Sequence, residues 1–277
     1  MRRVRIFMIA LLVAACAGAV NAQWARFRGE KGTGTGPEGA NPPAQWSPDE
    51  NILWKTDLPG SGASTPMVMG DKMYLTCYSG YGQGKGSPAD VVYHVLRISP
   101  EDGSIIWNKK LNPRRPVQEW KSWTTSHGFA SPSPIITEEA VYVSFGNTGV
   151  FALDHKGKGL WHRDLGRGVH AWGSGSSPIV YKDLLIVNAS VESKTLFGLN
   201  RKTGEVVWKQ SGINDSWVTP VILNAGGRDE LVISQKGSIH AFDPMTGKPL
   251  WHTPAMREYV VPSPVAHDGV VYCLGRR

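Results

Sequence analysis

Cysteine, long apolar spans and blocks of like charge are all scarce in this sequence, and each shortage removes a class of protein. The 277 residues hold three cysteines, Cys16, Cys77 and Cys273, too few for a disulfide framework. Cys77 and Cys273 lie far apart in apolar runs of strand type (MYLTC and VVYC), which reads as two buried free thiols, with a bridge in an oxidising compartment as the alternative. The only long apolar run, residues 6–15, is too short to cross a membrane. No run of five like charges occurs, so the formal net charge of +7 describes a solvated surface and not a nucleic-acid face. The eight histidines show neither HxH nor HxxxH spacing, which excludes the usual zinc patterns. A G-x-S-x-G nucleophile elbow is also missing.

The N-terminus is a targeting segment. Arg2, Arg3 and Arg5 precede the apolar run, as in a secretion signal. Residues 1–22 form the expected signal peptide, cut after Ala22 where the aromatic-rich text begins. The stretch Val13-Ala14-Ala15-Cys16 resembles a lipobox, and a cut before Cys16 would leave that thiol for a lipid anchor. Either cut makes the chain extracytoplasmic, periplasmic in a bacterium with two membranes. Without residues 1–22 the balance is 27 basic to 23 acidic side chains, a net charge of +4.

Beyond a lead-in over residues 23–49, the chain repeats itself. Ser133-Pro134, Ser177-Pro178, Thr219-Pro220 and Ser263-Pro264 place their prolines 44, 42 and 44 residues apart, and Thr65-Pro66 is an earlier copy. Each complete unit has two β-branched apolar runs about a polar turn, then a segment ending in glycine and tryptophan: VLRISPEDGSIIW, VFALDHKGKGLW, LFGLNRKTGEVVW and IHAFDPMTGKPLW. The glycine stands four residues before the tryptophan in all four, as in Gly204 and Trp208. Glycine supplies the positive φ of a tight hairpin, and the flanking alternation makes half-buried strands. Each unit is therefore predicted to be a four-stranded meander of roughly 40 residues that buries its faces only by stacking on copies about an axis, which is a β-propeller. Trp54, Trp107, Trp161, Trp208 and Trp251 are predicted packing anchors between blades.

The pattern A-x-D-x-x-T-G-x-x-x-W, best kept in IHAFDPMTGKPLW, resembles the tryptophan-docking repeat of quinoprotein-like (PQQ-like) β-propellers over residues 50–277. That family includes quinone-dependent alcohol and glucose dehydrogenases and a non-enzymatic propeller lipoprotein of outer-membrane protein assembly. The segment WARFRGEKGTGTG, residues 24–36, is similar to the start of exported propeller proteins abundant in planctomycete-like bacteria. No Lys-Ser/Thr follows its glycines, so a flexible lead-in is expected there and not a phosphate loop. Propellers of this family usually have seven or eight blades. Residues 51–58 (NILWKTDL) read as the last strand of a blade, which in the family completes the C-terminal blade, and the fifth unit stops in its second strand. The expectation is an all-β, incomplete propeller of about four and a half blades, a piece of a larger ring, whose open edges favour self-association.

For function the resemblance implies two classes. The dehydrogenases need pyrroloquinoline quinone, calcium ligands, a catalytic aspartate and, in the alcohol dehydrogenases, adjacent cysteines. No Cys-Cys pair occurs here, and no segment carries the ligands across residue by residue, so no catalytic residue, metal or cofactor is assigned; quinone and calcium enter only if ligands lie partly in missing blades. The inter-blade loops are rich in aromatics beside polar groups, and a funnel of such loops suits a protein, peptide or small ligand. Trp123, His127, His170, Trp172, Asp215, Trp217 and Tyr259 are the candidate ligand-binding residues. The plainer alternative has these rings plugging a tapering channel. A Gly-rich insertion in the first unit, CYSGYGQGKGSPADVVYH, reads as a flexible lip. The favoured expectation is an exported binding or scaffolding propeller with a protein or peptide partner and no nucleic acid.

Overall fold

The computed structural model describes residues 23–36 and 38–275; the signal segment and Cys16 lie outside the described residues. Strands follow one another as antiparallel meanders. The first blade holds β1 (Gln23–Trp24), β2 (Met67–Met69), β3 (Lys72–Ser79), β4 (Val92–Ile98) and β5 (Ile105–Leu111). The second is β6 (Ile135–Ile136), β7 (Val141–Ser144), β8 (Val150–Leu153) and β9 (Gly159–Arg163). The third is β10 (Ile179–Tyr181), β11 (Leu184–Ala189), β12 (Thr195–Asn200) and β13 (Val206–Ser211). The fourth is β14 (Val221–Ala225), β15 (Arg228–Gln235), β16 (Ser238–Phe242) and β17 (Pro249–Pro254), and β18 (Val265–His267) with β19 (Val270–Tyr272) opens a fifth. The arrangement is the expected arc of about four and a half propeller blades.

Period-two alternation divides each blade between its neighbours. Val141 and Val143 of β7 join the cluster shared with Tyr74 and Val95 of the first blade, whereas Tyr142 between them packs with Leu185 and Val187 of the third. Ile186, between Leu185 and Val187, turns towards Leu231 and Ile233 of the fourth. The hydrophobic core is thus a series of inter-blade layers, and the middle strands are buried on both faces.

The repeat tryptophans are placed by a β-bulge. The ladder between third and fourth strands shifts register at Arg97/Ile98, Ala152/Leu153, Gly198/Leu199 and Ala241/Phe242, beside the tryptophan each time, and such a bulge re-aims the side chain. Trp107, Trp161 and Trp208 then reach the last hairpin of the next blade, donating from Nε1 to the carbonyls of His155 (3.1 Å), Arg201 (3.0 Å) and Pro244 (3.2 Å). The hairpin glycine lies under the ring: a Cβ on Gly157, Gly204 or Gly247 would stand 3.2, 2.6 and 2.5 Å from the indole, and φ at these residues is +82°, +72° and +69°. The preceding Asp or Asn ties the same turn, as when Asp243 Oδ1 accepts from the amides of Met245 and Thr246. Trp251 differs. Its Nε1 donates to Glu230 Oε2 of its own blade at 2.6 Å, because no such hairpin stands beyond it among the described residues.

Near the axis the Ser/Thr-Pro pairs form a second belt. The amides of Thr65, Ser133, Ser177 and Thr219 donate to the hydroxyls of Ser133, Ser177, Thr219 and Ser263 at 2.9–3.0 Å. Each hydroxyl supplies the next blade's answer to an amide that would otherwise be buried without a partner.

Three expectations change. Residues 51–58 form no strand, having no ladder partner among the described residues, and Leu53 is 93% exposed. Trp54 nevertheless docks as the others do, donating to the Pro100 carbonyl at 3.0 Å above Gly103. The lead-in is ordered where flexibility is expected: β1 pairs with β2 on the inner edge of the first blade, and the Ile136 amide donates to the Ala25 carbonyl at 2.8 Å. The Gly-rich insertion is anchored as well, by Tyr81 stacked on Phe129 and by the Ser87–Asp90 turn.

Candidate functional site

Loops that join one blade to the next fall on one side of the arc, together with the connections between second and third strands; the hairpins that receive the tryptophans fall on the other. On this loop face three consecutive inter-blade loops converge. Residues 164–178 bring His170 and Trp172, residues 212–220 bring Trp217, and residues 255–264 bring Tyr259. Ring centroids are 5.0 Å apart for Trp172 and Trp217, 4.7 Å for Trp172 and Tyr259, and 4.9 Å for His170 and Trp217. Most of these contacts are edge-to-face or tilted, the arrangement ring quadrupoles favour.

Backbone bonds hold the rings in place. Trp217 Nε1 donates to the Gly173 carbonyl at 2.8 Å, and its amide donates to the Val260 carbonyl at 2.9 Å, so the second loop is tied to both neighbours. The Trp172 amide donates to His170 Nδ1 at 3.1 Å, which leaves the proton on Nε2. His127 links the loop before: its Nε2 donates to the Trp172 carbonyl at 2.6 Å while Nδ1 meets Ser131 Oγ at 2.5 Å. Trp123 stands edge-on to Trp172 at 6.3 Å and is 58% exposed. All seven candidate residues therefore gather in one neighbourhood, with Trp217 as its buried floor and Trp123 and Tyr259 as its open rim. Asp215 reaches the cluster indirectly, through Lys236, which lies 3.7 Å from its carboxylate and 5.0 Å from the centre of the Tyr259 ring.

Two participants carry no sequence signal. Lys236 comes from the connection between β15 and β16, outside the inter-blade loops. Glu192 follows the apolar strand β11 and clamps the loop bearing His170 and Trp172 from below: its carbonyl accepts from the Gly168 amide at 2.9 Å, and its carboxyl accepts from Ser174 Oγ. Burial pushes the Glu192 carboxyl above the usual carboxylate range. It borders a small cavity of about 10 Å³ that also touches Asn188, Ser216 and Trp217, room for roughly one water.

Among the described residues no three His, Cys, Asp or Glu side chains converge as metal ligands, Asp215 is drawn to Lys236, and Glu192 is sealed beneath the loop.

Residues 94–216 match the family model described as outer membrane protein assembly factor BamB. Among solved structures, BamB from Moraxella catarrhalis superposes with a TM-score of 0.51 at 19% identity, over 73% of this chain and 54% of that one. Quinohemoprotein alcohol dehydrogenase from Comamonas testosteroni gives 0.49 at 16% identity, over 77% of this chain and 39% of that one. The chain thus spans about half the length of the BamB structure it matches. No curated protein matches it in sequence. With its docking tryptophans and hairpin glycines, the chain resembles the PQQ-like repeat family of β-propellers, and residues 94–216 carry the match.

Proposed function

We propose that the protein is an exported, non-catalytic propeller that captures an extended segment of a protein partner on its loop face. The observation that carries this reading is the aromatic cluster itself: four rings from three successive loops, fixed through backbone bonds yet open at the rim, where Tyr259 is 40% exposed. Large rigid rings give contact area at low entropic cost, and Trp and Tyr dominate the energetic centres of protein interfaces. Lys236 and Asp215 add a polar edge that orients a main chain or a charged side chain. The match to an assembly-factor family over residues 94–216 supports a protein partner, and the N-terminal Arg-rich apolar segment supports export. Among the described residues no helix is long and apolar enough to cross a membrane.

The test is capture by the full-length protein from the envelope fraction of its own cells, with a peptide library read by indole fluorescence alongside. Trp123→Ala with Trp172→Ala is expected to weaken capture by about tenfold or more, as for residues at an interface centre, and to leave the far-UV spectrum unchanged. Undiminished capture by the double variant would count against the proposal. A fluorescence response to small molecules and to no peptide would overturn the choice of partner.

A further inference from the structure

The opposite mouth of the axis carries a separate feature. The ordered lead-in enters the channel along β2, touches the second blade through the Ala25 carbonyl, and reaches the fifth, where Arg28 Nη1 donates to the Ser263 carbonyl at 3.0 Å. Between these anchors sits Arg26. Arg97, Arg115, Arg163 and Arg201 each find a carboxylate or a backbone carbonyl. The Arg26 guanidinium has no hydrogen bond or ion pair among the described residues, and its Nε, like those of Arg97 and Arg201, is buried without a hydrogen-bond partner. A Cβ on Gly32 would stand 2.9 Å from the Arg26 Nη2, so the glycine leaves room for the fork. Burial lowers its pKa to about 10, so it keeps its charge at neutral pH.

Arg26 lines a cavity of about 460 Å³ with Lys31, Leu223, Asn224 and Ala266. Two acids border it as well: Asp268 lies 3.3 Å from His267, and Glu30 is exposed. A guanidinium whose Nε is buried without an acceptor loses hydration there without return. A planar fork of donors beside a second cation, above an apolar wall, matches a ligand with paired acceptor oxygens. We propose that this cavity binds a small organic oxyanion, a carboxylate or a phosphate ester, whose oxygens accept from Arg26 while Lys31 closes the mouth and Leu223 and Ala266 flank its apolar part. The site lies on the hairpin side of the arc and is independent of the aromatic cluster.

The experiment titrates the full chain with succinate and with inorganic phosphate against sodium chloride at equal ionic strength, following thermal midpoint and the ¹H–¹⁵N signal of the Arg26 Nε–H. A saturable rise in midpoint with either anion, together with movement of the Arg26 signal, is the expected result; the more effective anion identifies the headgroup. Arg26→Gln should weaken binding by about tenfold or more, the ratio one charge-assisted hydrogen bond carries, and Lys31→Gln by less. A response no larger than that of chloride overturns the proposal, as does saturable binding that leaves the Arg26 signal unmoved. The native-protein signal decides the matter even if Arg26→Gln fails to fold.

Discussion

The two faces of the arc use the same residue, tryptophan, for opposite ends. On the hairpin face Trp107, Trp161 and Trp208 spend both their apolar surface and their N–H on the next blade's backbone, one indole to one carbonyl above one glycine. On the loop face Trp123 and Trp172 touch other rings, and no two of the loops repeat each other. A ring locked onto a neighbour's main chain has nothing left for a ligand; a ring whose neighbours are rings keeps a free edge. Recurrence therefore marks the groups that hold the fold, and departure from recurrence marks the groups open to a partner.

The largest effect should come from breaking the recurrent side. Trp161→Ala removes an inter-blade anchor and its bond to Arg201, at a cost of about 3–5 kcal/mol. Gly204→Ala attacks the same joint from the other side, since φ is +72° and the new methyl would meet the indole at 2.6 Å, for about 1–3 kcal/mol. Both are read as shifts of the urea midpoint. A double variant that costs clearly less than the two single changes together would show that they break one shared contact; full additivity would sink that account.

A smaller effect belongs to the loop face, through Glu192. Its folded pKa is raised by burial above the ordinary 4.5, so the native state holds the proton over a range in which the unfolded chain has released it. Its own contribution to stability is then fully present below that ordinary value and is lost as pH rises through the folded pKa. Glu192→Gln keeps an acceptor for Ser174 and should flatten this slope, being the more stable form at neutral pH. Glu192→Ala leaves the Ser174 hydroxyl without its acceptor and should cost about 1–3 kcal/mol. Denaturant midpoints of both proteins between pH 4 and 8 give the answer, and a wild-type midpoint that does not fall relative to that of Glu192→Gln as pH rises would contradict the sign.

The fold was legible because its signals are local and repeated. Gly204 and Trp208 are four residues apart in one unit, yet each serves a different joint, and the alternation in β7 and β11 already divides the side chains between two neighbours. The convergence of His170, Trp172, Trp217 and Tyr259 was legible in part, since loops that follow equivalent strands must share a face. Three features were hidden for physical reasons. Ser177 and Thr219 look like strand-entry residues until their hydroxyls meet the amides of the adjoining blade. Glu192 is a lone acid after an apolar run, and only the return of the loop at Gly168 and Ser174 gives it work. The lead-in reads as glycine-rich and flexible because its partners, Met69, Ile136 and Ser263, lie far along the chain.

The smallest expected change in stability is also the most discriminating one. Trp123 has an indole as large as that of Trp161, so residue type alone assigns both the same cost on removal. Their surroundings do not: Trp161 donates to Arg201 and lies over Gly204, whereas Trp123 is 58% exposed and meets Trp172 by one edge. Surface substitutions of that kind fall within about 0.5 kcal/mol, so Trp123→Ala should leave the urea midpoint nearly unchanged while its effect on capture persists. A midpoint loss approaching that of Trp161→Ala would mean that the loop-face rings are structural plugs, and the division of labour between the two faces would fail.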